Sequence, residues 1–284
     1  MGHVSASGGR ETSGHPIDAR VSSRAFFGVS ALLFAVSTAA TVVGAASMSA
    51  MGEMPMPGGW SMSSAWMRMC GQTWAGVAAS FLGMWVVMMV AMMLPSLVPM
   101  LLRYREAVGR SGETRLGWLT MRVGVGYFFV WTALGMATFP LGAALASLEM
   151  ELPALARAVP FATGVIVLIA GALQFTAWKA RRLACCREIP GRCLRVPALS
   201  ADAATAWRHG LRLGLHCSYC CAGLTMILLV AGVMDLRVMA VVTAAITAER
   251  LAPHGERVAP VIGGVAVCVG VLLIAQAAGL GCGA

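Results

Sequence analysis

Apolar runs close to or above 20 residues, separated by short arginine-bearing segments, restrict this chain more than any other feature. They fall at about residues 25–47, 76–102, 119–148, 160–178, 213–234 and 258–280, with a shorter one at 235–248. About 20 apolar residues in a helix cross the roughly 30 Å hydrocarbon core of a bilayer. Inside lipid each backbone N–H and C=O must be satisfied within the protein, which leaves helices or a closed barrel. Continuous apolar runs without alternation select helices. Only 12% of the 284 residues are charged, about half the usage of a soluble domain. The expected fold is therefore all-α, a polytopic transmembrane bundle of about seven spans. The number is six if 235–248 is re-entrant, or if the first span is a cleaved signal segment. Residues 1–24, rich in Gly and Ser, are expected to be a disordered cytoplasmic tail. Residues 25–284 then form one transmembrane domain, with an outer loop at 48–75 and a basic cytoplasmic loop at 179–212.

The net charge of +9 follows the loops. Of 21 Lys and Arg residues, 18 fall in four segments (1–24, 103–122, 179–212 and 249–257) that would lie on one side of the membrane. Basic residues collect on the cytoplasmic side, which places the N-terminus inside. A charge spread over alternate loops does not make the single basic face that nucleic acid requires. The lipid bilayer is the expected partner, and nucleic acid is excluded. Gly124, Gly126, Gly135, Gly263, Gly264 and Gly270 suit close helix approach. Asp235 and Arg237 read as a pair at the outer interface, and Gln174 as a hydrogen-bonding group between helices.

Sulfur is the second feature. The stretch MWVVMMVAMMLPS (84–96) holds five methionines in its first ten residues. On a helix Met84, Met88 and Met92 form one stripe, which Met89 and Met93 widen. Pro95 and Pro99 follow and are expected to kink the helix's inner end. The outer loop adds Met48, Met51, Met54, Met56, Met62, Met67 and Met69. In the fifth span HCSYCCAG (216–223) sets Cys217, Cys220 and Cys221 within one arc, with His216 at its edge. Thiolate, thioether and imidazole favour soft or borderline ions, Cu(I) foremost, with zinc the alternative. Cys185, Cys186 and Cys193 in the basic loop could pass an ion to or from that cluster, or be ordinary exposed thiols. Cys70 and Cys282 are expected outside, and Cys268 as packing. Glu249, at the inner end of the sixth span, would counter an ion or pair with Arg250 or the basic loop.

The segments 84–96, LQFTAWKARRLACCREIP (173–190), HCSYCCAGLTM (216–226), GVMDLRVM (232–239) and AERLAP (248–253) together resemble a bacterial family of uncharacterised, predicted metal-binding integral membrane proteins. That resemblance implies a multi-span helical protein with a metal site drawing on Cys217, Cys220, Cys221 and the second-span methionines. His216, Ala222 and TAWK depart from the family's pattern.

The expected function is membrane handling or transfer of Cu(I). Outer methionines (Met48, Met51, Met54, Met56, Met62) capture the ion, the stripe of 84–93 conducts it, and the cysteines hold it. Cys185 and Cys186 or a metal donor or acceptor protein then take it onward. The reading is not an enzyme. No ATP-binding motif of the Walker type occurs, so uphill movement would need an ion gradient or a partner. Two readings compete: a membrane scaffold or assembly subunit without metal, and a thiol oxidoreductase using the Cys217-x-x-Cys220 pair.

Overall fold

A computed structural model describes residues 16–50, 52, 54–68, 71–109, 115–187, 202–253 and 255–279. The chain is all-α apart from one hairpin. In order it runs α1 (Pro16–Ala50), β1 (Met54–Met56), β2 (Trp60–Met62), a short 3-10 turn (Ser64–Trp66), α2 (Trp74–Gly109), α3 (Leu116–Glu151) and α4 (Pro153–Leu173). It continues with α5 (Ala177–Arg187), α6 (Ala203–Ala231), α7 (Leu236–Leu251) and α8 (Gly255–Ala277). Six of these helices are long and apolar enough to cross a membrane: α1, α2, α3, α4, α6 and α8. That is the chemistry of a multi-pass membrane protein.

The structure gives the lower of the two expected counts, six. The 16 residues of α7 rise about 24 Å, short of the roughly 30 Å of hydrocarbon. Asp235 does not pair with Arg237 at an interface. It caps this helix, its carboxylate accepting hydrogen bonds from the Arg237 and Val238 backbone N–H groups at 2.7 and 3.2 Å, as Asp does at an N-cap. The basic segment 179–212 is also less of a loop than expected. Its start belongs to α5 and its end to α6, which begins at Ala203 behind an Asp202 cap. Arg and Ala propagate helices well, and positive charge alone does not stop one. At the other end of the chain α1 starts at Pro16, within the expected tail, and Pro tolerates the first helical turn. Residues 1–15, Met51, Met69, Cys70, Cys193, Cys282 and the Cys186 side chain lie outside the described residues.

In the segment expected as an outer loop, Met54–Met56 pairs antiparallel with Trp60–Met62. Gly58 and Gly59 sit at φ 110° and 78°, in the left-handed region that only glycine enters without cost. Met54 lies opposite Met62, and Trp60 Nε1 donates to the Ala156 carbonyl at 2.9 Å. The hairpin is thereby fixed to the start of α4.

Helix α2 is the most buried span, half of its apolar window being inside the protein, and it packs on α1, α3 and α7. It runs unbroken through Pro95 and Pro99. Trp85 donates its Nε1 to the Trp131 carbonyl at 2.8 Å, tying α2 to α3. Glycine makes the other two crossings. Gly126 of α3 lies against the Trp207–Leu211 backbone of α6, and Gly210 of α6 against the Val123 carbonyl of α3. Gly164 and Gly171 of α4 meet Gly270 and Gly263 of α8 through backbone atoms. Of the glycines expected at helix contacts, Gly126, Gly135, Gly263 and Gly270 serve there, while Gly124 and Gly264 face open space.

Candidate metal centre

Helix α6 carries its three cysteines inward because the residues flanking them on the other faces are exposed. Leu215 and Tyr219 point out, while Cys217, Cys220 and Cys221 are 0%, 2% and 1% exposed. Residues four apart on a helix face each other, and the Cys217 and Cys221 sulfurs stand 3.9 Å apart. From α3, the buried Tyr127 hydroxyl donates to Cys217 Sγ at 2.9 Å. Tyr127 was not singled out by sequence, since its partner is 90 residues away. Only its place on the glycine-packed face of α3, next to Gly126, hinted at it.

Four of the α2 methionines, Met88, Met89, Met92 and Met93, are all but completely buried. They belong to the same continuous core cluster as Cys217, Cys220, Cys221, Tyr127 and Ile246. Met84 departs from the stripe. It is half-buried, and its thioether lies against Gly44 of α1. His216 is half-buried and within electrostatic range of Arg182 on α5 as well as of Cys220. Among the described residues, no group of three or more His, Cys, Asp or Glu side chains is arranged to hold a metal ion. The arrangement offers two facing thiols from α6 with thioethers from α2 in the same core.

A polar cluster adjoins the sulfurs. Lys179 of α5 is buried, its Nζ 2.7 Å from Glu249 Oε2 and 2.8 Å from the Cys220 carbonyl oxygen. Glu249 thus pairs within the basic segment, the plainer of its two expected roles. Its neighbour Arg250 is also buried and donates from Nη1 to Ser96 Oγ of α2 at 3.0 Å. Ser96 in turn donates to the Met93 carbonyl at 3.0 Å. Helices α2, α5, α6 and α7 therefore meet at one point, through polar groups that lipid could not satisfy.

The remaining candidates are scattered. Met62 is buried under the hairpin, Met54 is exposed, and Met48 and Met56 are half-buried. Cys185 lies half-buried on α5. Cys268, expected as packing, is exposed on α8. Gln174 is buried where α4 ends, and its Oε1 accepts no hydrogen bond among the described residues.

Replacing Tyr127 with Phe removes the hydroxyl and leaves the ring in place. The expected result is about a tenfold loss in soft-metal affinity, the usual cost of deleting a group that supports a ligand. Competition against a chromophoric Cu(I) chelator measures it.

No curated protein and no solved structure matches this chain. Residues 82–273 match the family PpoB2, described as a copper chaperone. The matched span contains the four buried methionines, Tyr127, Lys179, the three cysteines and Glu249–Arg250. The match supports the metal relation that the sequence resemblance implied, together with copper handling, a protein that is not an enzyme, and a partner for metal transfer. It covers more than half of the 284 residues, and the chain belongs to the PpoB2 family of copper chaperones.

Proposed function

We propose that this protein handles Cu(I) in a bacterial inner membrane, with its N-terminus in the cytoplasm, and delivers the ion to an acceptor protein. Copper is the cargo. The observation that carries the reading is the pair of facing thiols, Cys217 and Cys221, 3.9 Å apart in a core shared with four methionine thioethers. Thiolate–metal bonds of about 2.3 Å put two ligand sulfurs of a trigonal site about 4 Å apart, close to that separation. Two thiolates and one neutral thioether from Met88, Met89, Met92 or Met93 would complete such a site, and soft ligands of this kind favour Cu(I). Cys220 and His216 stand beside it as auxiliary donors.

Methionines of the hairpin segment, Met54 on its exposed side among them, capture the ion first. The α2 methionines then lead it to the cysteines. Neutral thioethers hold Cu(I) less tightly than thiolates, so the gradient of affinity runs toward α6. Cys185, half-buried on α5, a helix that packs on α6, receives the ion for transfer in this reading. The family match supports copper as the metal handled.

The test is elemental analysis of detergent-purified protein after loading with Cu(I), wild type beside the triple variant Cys217→Ser, Cys220→Ser, Cys221→Ser. The wild type is expected to retain about one copper per chain and the triple variant none above background. Equal copper in both proteins would overturn the reading.

A further inference from the structure

The sulfur-bearing side of α2 continues past Met93. Met100 follows two turns later and Tyr104 one turn after that, so the three share one side of the helix. Met100 is partly buried against the core cluster that holds the cysteines and the four buried methionines. Tyr104 is buried and stacks on the imidazole of His209 from α6, the ring centroids 5.4 Å apart and the planes 22° from parallel. His209 stands eight residues before Cys217, and so about 12 Å nearer the end where α6 leaves the basic segment.

His209 is itself buried, and its Nδ1 makes no hydrogen bond among the described residues. Buried polar atoms almost always have a partner, and one left without costs free energy that a ligand would return. With the ring proton on Nε2, Nδ1 presents a lone pair. Stacking on Tyr104 fixes the plane of the ring and thereby the direction of that lone pair. One imidazole and one thioether make a neutral donor set suited to a soft monovalent ion. Arg212, one turn along α6, acts electrostatically on His209. A neutral pair beside a cation holds a positive ion more loosely than two thiolates, which bring negative charge of their own.

Building on the proposed Cu(I) site, we propose that His209 Nδ1 and the Met100 thioether form a second, weaker site for Cu(I) or Ag(I), where the ion pauses between the cysteines and the acceptor protein. The ion stays monovalent and no electron moves. The two thiolates it leaves take back from solvent the two protons they had released.

The experiment titrates the full-length protein in detergent with Ag(I), a diamagnetic stand-in for Cu(I), and follows the nuclear resonances of isotope-labelled imidazole nitrogens. His209→Phe, which keeps a ring against Tyr104, identifies the His209 signal by its absence. In the wild type the Nδ1 resonance is expected to move only once the cysteines are filled. In the triple variant Cys217→Ser, Cys220→Ser, Cys221→Ser it should move from the first addition. An ion held this loosely is lost on purification, so the copper retained by either protein is unaffected. Met100→Leu, a swap that nearly conserves volume, should need more Ag(I) for the same shift, and it picks out the His209 signal if His209→Phe does not fold. A resonance that stays in place in excess Ag(I), or an unchanged response in Met100→Leu, overturns the inference while the cysteine site stands. Movement from the first addition in the wild type would show that the cysteines hold no tighter ion, which removes the copper-site reading and the route through His209 with it.

Discussion

Changing Cys217 or Cys221 singly to serine is expected to weaken Cu(I) binding by about a hundredfold or more, whereas Cys220→Ser should cost less than about tenfold. The asymmetry comes from geometry. Cys217 and Cys221 share one line of the α6 surface and their sulfurs are 3.9 Å apart. Cys220 is one residue from Cys221, hence turned about 100° around the helix. A serine hydroxyl is a hard, neutral group that does not replace a thiolate toward a soft ion. Serine is nearly isosteric with cysteine, so the fold should survive, and an unchanged circular dichroism spectrum will check it. The exposed Cys268 supplies the control, and Cys268→Ser should bind as wild type does. Equal losses at 217, 220 and 221 would show that the facing pair has no special standing.

The second large effect is expected at the crossing of α3 and α6. A methyl group at Gly210 would run into the Val123 carbonyl and the Gly126 Cα, and one at Gly126 into the Trp207 carbonyl at 2.8 Å. These obstacles are backbone, which cannot rotate away as a side chain can. The two helices would have to separate. Gly210→Ala should therefore destabilise the protein by about 1–3 kcal/mol, the range for overpacking, and Gly210→Leu by more. Thermal unfolding in detergent will measure both. Separation also carries Tyr127 away from Cys217, so Cu(I) affinity should fall in step with stability. Gly124→Ala and Gly264→Ala, with nothing within 4 Å of the added carbon, should be neutral. A neutral Gly210→Ala would mean that α3 and α6 do not approach as closely as the structure has them.

Both effects depend on features that became legible at different levels. The helical membrane architecture was readable from the apolar runs alone, because hydrocarbon leaves a chain so few ways to satisfy its backbone. The exception, 235–248, was short enough in sequence to be in doubt, and α7 is that short helix. Helical spacing alone also implied that Cys217 and Cys221 would face each other, since contacts four residues apart are local. Four of the six expected glycines meet another helix and two do not. Gly126 and Gly124 have the same composition and nearly the same place, yet only one meets α6, because a rotation of about 200° over two residues puts them on opposite faces. Likewise Met84 shares the methionine stripe of α2 but is only partly buried, lying against Gly44 of α1 as well as against the core.

By itself, the sequence determined the class of fold and the helix that carries the cysteines. These follow from solvent and from helical period, which act over a few residues. Tertiary structure alone decided that Tyr127 would reach Cys217 across 90 residues, that Lys179 would close on Glu249 across 70, and that Arg250 would seat on Ser96 across 154. Such pairings depend on how helices rotate and slide against one another. That is set by summed packing over whole interfaces, a quantity no local pattern encodes.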